Sequence, residues 1–231
     1  MQGLLLIDKP KSWTSFDVVN YVRSTVARSL GVKPKTIKVG HIGTLDPLAT
    51  GLLVLLLGKE YTRRAAELSH LDKIYEVTMH LGYVSSTGDD EGEKKTINNR
   101  LPDITEIKIA LDHFTGEIQQ VPPAFSAIKV NGQRAYKLAR AGETLKLEPR
   151  TVTIHQNKLK QYAYPLVQFE SSVSSGTYIR SLVEDIGREL NTGAYMSDLR
   201  RLSIGKFSLK EAVPVQNISA ELIAARLQSL N

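Results

Sequence analysis

The sequence contains no cysteine, which excludes disulfide bridges and thiolate metal sites. Nor does any apolar run approach the roughly 18 residues that a membrane-spanning helix needs. The N-terminus has no basic start followed by a long apolar segment and a cleavage site, so no export signal is read and a cytoplasmic location is expected. Five histidines, His41, His70, His80, His113 and His155, lack metal-ligand spacing, and no metal is expected to bind. Internal repeats and low-complexity segments are missing as well. What is there amounts to 231 residues, 42% hydrophobic and 23% charged, enough to bury a sizeable core as one large domain or two small ones. A net charge of +6 points modestly towards a polyanionic partner.

The richest stretch is Lys38 to Gly58, KVGHIGTLDPLATGLLVLLLG. Gly40, Gly43 and Gly51 permit positive φ or close backbone approach, and Pro47 fixes φ just after Asp46. Leu52 to Leu57 reads as a fully buried strand. Asp46 is therefore held on a stiff loop beside a core strand. A carboxylate placed that way costs stability unless it is paired, hydrogen-bonded or wet, which makes it a functional candidate. A turn-capping Asp explains the local sequence equally well.

Elsewhere the pattern is ordinary. Gly3 to Ile7 reads as a strand running into a turn at Asp8-Lys9-Pro10. Thr14 and Asp17 form a capping box for a helix carrying Phe16, Val19, Val22 and Val26 on one stripe and stopping at Gly31. Arg23, Arg28, Lys33, Lys35 and Lys38 crowd its far end, either as a solvated face or as phosphate contacts. Lys73 to Gly82 alternates, with Tyr75, Val77, Met79 and Leu81 on the inner face. Ser85 to Arg100, with its acidic stretch Asp89 to Glu93, reads as a polar loop. A helix is expected over Thr105 to Gly116, a strand over Phe125 to Val130, a tight turn at Asn131-Gly132 and a short helix over Arg134 to Arg140. Lys129, Arg134 and Arg140 interleave with aromatic residues, as in an RNA-gripping arm or a solvated one. Two strands follow, Val152 to Leu159 and Leu166 to Val173.

GTYIRSLVEDIGREL, opening at Gly176, then gives a helical stripe of Ile179, Leu182, Val183, Ile186 and Leu190. Tyr178 and Arg180 fall in its first turn, where an arginine can pair with a buried carboxylate or point into solvent. Tyr195 to Leu202 is strand-like and contains the basic pair Arg200-Arg201. Ser219 caps a last helix that buries Leu222, Ile223, Leu227 and Leu230.

Four motifs stand in one order: DKPKSWTS from Asp8, GHIGTLDPLATG from Gly40, PPAFSAIKVNGQRAYKLARAG from Pro122 and GTYIRSLVEDIG from Gly176, with LRRLSIGKF from Leu199 behind them. Together they resemble the TruB family of bacterial tRNA pseudouridine-55 synthases over nearly the whole chain. Ser12 stands where the first motif usually has glycine, and no sequence follows Asn231 for the C-terminal RNA-binding PUA domain of many relatives. The expectation is thus a single catalytic domain over 1–231 without a PUA domain.

The resemblance implies an α+β pseudouridine-synthase fold, with a mixed, mainly antiparallel central sheet flanked by helices and an active-site cleft across it. It implies an isomerase that needs no cofactor, acts on the T stem-loop of tRNA as a monomer and has no membrane partner. Its residues carry over by motif. Asp46 is the nucleophile or base, Arg180 the matching cation that keeps it ionised, and Tyr75 the active-site tyrosine. Tyr178 and Leu199 shape the apolar wall, His41 lies where the extruded base had been, and Lys9 supports the tyrosine loop. The stretch from about 122 to 149, with Lys129, Arg134 and Arg140, resembles the family's RNA-binding thumb. Two rival functions stand beside this one, a guide-RNA-directed pseudouridine synthase subunit and a non-catalytic tRNA-binding or folding module.

Overall fold

The computed structural model describes residues 1–126, 128–130, 132–143 and 146–229. In chain order the elements are β1 (Gly3–Lys9), α1 (Ser15–Ser29), β2 (Val39–Ile42), β3 (Thr50–Leu57), α2 (Lys59–Arg63), α3 (Ala65–Ser69), β4 (Lys73–Leu81), β5 (Tyr83–Ser85) and β6 (Lys94–Thr96). They continue with α4 (Ile104–His113), β7 (Gly116–Gln120), β8 (Lys129–Val130), β9 (Gln133–Arg134), α5 (Ala135–Arg140), β10 (Arg150–Ala163), β11 (Leu166–Val173) and α6 (Ile179–Glu189). The last are β12 (Ala194–Ile204), β13 (Phe207–Ser208), β14 (Val213–Pro214) and α7 (Ala220–Arg226). The architecture is α+β with a mixed, mainly antiparallel central sheet flanked by helices. Two compact units divide the chain: Met1–Tyr75 with Leu199–Asn231, and Glu76–Asp198. The chain leaves the first unit inside β4 and re-enters it inside β12.

The first unit is built around β3. Its antiparallel partners are β1, with Ile7 opposite Leu53, and β2, with His41 opposite Leu55, while β12 runs parallel to it with Arg201 opposite Gly51. Side chains alternate across a strand, so a run of six apolar residues feeds both faces of the sheet. Leu53, Leu55 and Leu57 join Val18, Val19, Val22 and Val26 of α1 in one core, and Leu52, Val54 and Leu56 join Leu4, Leu6 and Phe207 in another. This is why the central run contains no polar position.

Helix α1 starts where expected, with the reciprocal Thr14 and Asp17 capping box in place. Its buried stripe, however, is Val18, Val19, Val22 and Val26, and Phe16 is 60% exposed. Two residues turn a helix through about 200°, which puts Phe16 opposite Val18. The Phe16 ring instead lies 5.9 Å from the Arg23 guanidinium. In the last helix Ser219 accepts from the Leu222 N–H and Ile223 is buried; Leu230 lies outside the described residues.

In the second unit β4, β11, β10 and β7 follow one another in the sheet. The inner face of β4 alternates as predicted, with Val77, Met79 and Leu81 at 0% exposure. The polar stretch 85–100 contains β6, which pairs back onto β5 just before it in a small hairpin, Tyr83 with Thr96 and Ser85 with Lys94. Its strands are three residues long, too short to leave a periodic apolar signal. Of the strand expected over 125–130, the described residues show β8, which forms a two-residue ladder with β9; residue 127 and Asn131 of the expected turn lie outside the described residues. Helix α6 buries its whole predicted stripe, Ile179, Leu182, Val183, Ile186 and Leu190.

Candidate active site

The first unit carries His41, Asp46, Tyr75, Leu199 and Lys9. Asp46 is half-buried on the loop between β2 and β3, and this loop is tied down along its length by backbone and side-chain hydrogen bonds. The Leu45 N–H donates to the Ser15 hydroxyl (2.8 Å) and the Ser15 hydroxyl donates to the Leu45 carbonyl (3.0 Å). The Ser12 N–H donates to the Pro47 carbonyl (2.8 Å) and the Ala49 N–H to that of Asp46 (3.1 Å). Ser12 has φ +69°, the left-handed conformation that glycine adopts without strain. That is the physical reason glycine suits this position of the first motif.

Lys9 has 0% exposure. Its ammonium donates to the carbonyls of Trp13 (2.6 Å), Pro10 (2.9 Å) and Pro47 (3.4 Å), so a buried cation links the turn after β1 to the residue that follows Asp46. Tyr75 is 8% exposed on β4 and Leu199 is 7% exposed on β12. The Thr50 hydroxyl donates to the Leu199 carbonyl (3.4 Å). Beside Leu199, Arg200 donates to the Asp8 carboxylate (2.7 Å) and the Thr50 hydroxyl (3.3 Å), and Arg201 is wholly buried.

His41 lies on β2. Its Nδ1 is buried and has no hydrogen-bond partner among the described residues. Burial, and then the Arg201 charge, holds its pKa below the usual imidazole value, so the ring is neutral at neutral pH. A neutral imidazole with an unsatisfied nitrogen offers an acceptor or a donor to an incoming group, according to tautomer.

The second unit carries Tyr178, Arg180 and the arm. Tyr178 is the N-cap of α6. Its N–H donates to the Gln120 side-chain oxygen (2.8 Å), and its carbonyl accepts from the Gln120 amide (3.1 Å), which fixes the helix entry from the end of β7. Arg180 is 6% exposed; of the two readings open at the sequence level, the buried one holds. Its guanidinium donates to the carbonyls of Phe125 (2.8 Å) and Thr87 (3.1 Å) and lies 3.8 Å from the Asp89 carboxylate.

Asp89 is itself 4% exposed and accepts from the Thr87 hydroxyl (2.5 Å) and the Glu91 N–H (3.1 Å). Burial raises the pKa of nearby Glu184, and its carboxylate lies 2.8 Å from where a Cβ on Gly88 would stand. The acidic loop is thus packed on α6 within this unit. Of the arm residues, Arg134 is the exposed N-cap of α5. Lys129 and Arg140 are placed on β8 and α5 by their backbone, and their side chains lie outside the described set.

Two residues of this arrangement escaped sequence reasoning. Asp89 was hidden in an acidic run, and Arg201 in a basic pair. For Arg201 a signal existed: β12 alternates, and two positions beyond the buried Leu199 falls the buried Arg201.

Residues 28–179 match the N-terminal domain of the TruB family of pseudouridylate synthases. The chain belongs to that family. A C-terminal domain described for tRNA pseudouridylate synthase B matches residues 180–230 of this TruB-family chain. It is 42% identical over 212 residues to a tRNA pseudouridine synthase B of Chlamydia pneumoniae, covering 92% of this chain and 86% of that relative. It is 43% identical over 216 residues to one of Flavobacterium johnsoniae, covering 92% of each. Among solved structures it is similar to a chain from a Cbf5-Nop10-Gar1 complex, at 30% identity and a TM-score of 0.68, covering 93% of this chain and 53% of that one. It spans about half the length of that chain.

Proposed function

We propose that this TruB-family chain isomerises the T-loop uridine of tRNA at position 55 to pseudouridine, with Asp46 as the group that carries the reaction. The chain is a tRNA pseudouridine synthase, an isomerase. The reaction breaks N1–C1′, turns the freed uracil and joins C5 to C1′; the C5 proton is lost and N1 gains one, so no atom enters or leaves overall. The base has to leave the stack and stay trapped while detached. Asp46 acts as the nucleophile towards ribose or base, or as the base that removes a ribose proton. Tyr75 stacks on the flipped uracil and its hydroxyl assists proton removal, while Tyr178 and Leu199 line the apolar wall. His41 fills the gap left in the RNA loop, offsetting part of an unstacking cost of a few kcal/mol. Arg180 is the family's active-site cation, and Lys9 supports the tyrosine loop from below Pro47. The arm of about 122–149, with Lys129, Arg134 and Arg140, grips the T stem-loop. The protein works as a monomer in the cytoplasm.

The observation that carries this reading is the Asp46 loop: a half-buried carboxylate whose neighbours Leu45 and Pro47 are each tied to a different element. A pure RNA-binding module needs no such strapping of a carboxylate. The relatives named tRNA pseudouridine synthase B, at 42% and 43% identity, support a tRNA enzyme over a subunit of a larger complex such as the Cbf5-Nop10-Gar1 complex, whose similar chain stands at 30%. No helix among the described residues is long and apolar enough to cross a membrane. Incubation of the isolated protein with unmodified tRNA, followed by mapping of pseudouridine, tests the proposal. Product at the T-loop uridine is expected; no product there overturns it.

A further inference from the structure

Arg201 is the largest fully buried side chain among the described residues, at 0% exposure. Among those residues its guanidinium meets carbonyls and a phenol rather than a carboxylate. Nε donates to the Leu52 carbonyl (2.8 Å), Nη2 donates to the Gly43 carbonyl (2.6 Å), and the Tyr75 hydroxyl is a further hydrogen-bond partner. Burying a charge without a counter-charge is costly, so its hydrogen-bonded groups are held tightly to it.

Those groups are placed with a pattern. Gly43 and Gly51 bracket the loop that bears Asp46, and both have positive φ, +64° and +97°. A Cβ on Gly43 would stand 2.9 Å from Arg201 Nη1, and one on Gly51 would stand 2.3 Å from the Arg201 carbonyl oxygen. The two glycines of GHIGTLDPLATG therefore leave room for one and the same residue. Its side chain grips the loop where it begins, and its backbone pairs with the loop where it ends.

We propose that Arg201 is a positioning residue that sets the geometry of the Asp46 loop and the Tyr75 hydroxyl together. The proposal rests on the reading of Asp46 and Tyr75 given above. Accepting a hydrogen bond from the guanidinium leaves the Tyr75 hydroxyl hydrogen free for another acceptor and fixes the phenol against rotation. The Arg201 charge also reaches His41 and Lys73, whose pKa values are lowered chiefly by burial and additionally by it. Arginine is required in this role because its planar fork meets several acceptors at once, whereas a lysine ammonium has a single nitrogen.

Two variants test this. Arg201→Lys keeps the charge but cannot satisfy the Gly43 carbonyl, the Leu52 carbonyl and the phenol together. Gly43→Ala keeps Arg201 and pushes a methyl against it. In each, kcat on tRNA is expected to fall about a hundredfold or more, the scale of a 1 Å misplacement, with KM within about threefold and the folded fraction unchanged. Amide hydrogen exchange at 43–51 should rise about tenfold or more while Leu53 to Leu57 stays protected. A kcat within about threefold of the parent, unchanged exchange in the loop, or a rate loss that only tracks the loss of folded protein overturns the proposal. Should Arg201→Lys not fold, Gly43→Ala decides alone. If the parent makes no pseudouridine, the functional reading fails, and the exchange measurement still determines whether Arg201 positions the loop.

Discussion

Asp89→Asn is the sharpest test of how the second unit holds its buried arginine. Asp89 and Arg180 are 4% and 6% exposed and lie 3.8 Å apart. At an effective dielectric of about 20, two unit charges at that distance attract by about 4 kcal/mol. Asparagine forfeits this but keeps an oxygen for the Thr87 hydroxyl and the Glu91 N–H, and the guanidinium keeps the carbonyls of Thr87 and Phe125. Breaking a buried pair outright costs about 3–5 kcal/mol, so with these acceptors retained a loss of about 2–3 kcal/mol is expected. That is a large share of a typical domain stability of about 5–15 kcal/mol. Urea unfolding of the parent, Asp89→Asn, Arg180→Met and the double variant measures it. Arg180→Met should cost less in the Asp89→Asn background than in the parent, because the attraction between these two charges has already been removed there. A loss under about 0.5 kcal/mol for Asp89→Asn, together with strict additivity in the cycle, would refute the pairing as a structural force. Turnover is expected to fall with Asp89→Asn, since Arg180 then loses one of its supports.

Asp46→Asn keeps shape and size but removes the charge, so tRNA binding should persist in a filter assay while single-turnover rates fall by several orders of magnitude; a rate within about tenfold of the parent removes Asp46 from the role. Tyr75→Phe retains the ring and its burial but deletes the hydroxyl that faces Arg201, so turnover should drop with binding preserved, and a normal single-turnover rate would confine Tyr75 to stacking. Lys73, 7% exposed, has its pKa lowered to about 8 from 10.5 by burial and then by Arg201. The folded state gives up this proton first, so the penalty is complete below pH about 8 and fades as pH rises to about 10.5. The stability of the parent relative to Lys73→Met should therefore climb by about 3 kcal/mol across that window, and a difference that stays flat would show that the ammonium is not penalised.

Much of the fold was legible because its strongest signals are local. The Leu52 to Leu57 run, the alternation of β4, the Thr14 capping box and the α6 stripe are each written in residues within a few positions of one another along the chain, however distant the residues they pack against. The misreadings came where periodicity is short or shared. Phe16 sits at a spacing compatible with either face of α1, and only the packing of Val18 against the sheet settles the phase. The hairpin of β5 and β6 has strands of three residues, too short for any periodicity to distinguish it from a loop.

The candidate site divides along the same line. Asp46, Tyr75 and Arg180 are named as candidates because motif and spacing mark them, but neither Asp89 nor Arg201 is local to its partners. Asp89 meets Arg180 across 91 positions of sequence, and Arg201 meets Gly43 across 158. A charged residue is normally exposed, so composition argues for the wrong environment at both places. What overrides composition is the burial of the guanidinium and carboxylate groups, and burial is a property of the strands and loops that converge on them. Glycine supplies the one clue that crosses this distance. Gly43 and Gly51 look like permissive loop residues when read alone, yet a side chain at either would collide with Arg201. Both keep the positive φ that the loop requires, but Gly43 also leaves space for the guanidinium of a residue far along the chain, and Gly51 leaves space for that residue's backbone, so only the absence of a side chain at position 43 is tied to arginine at 201.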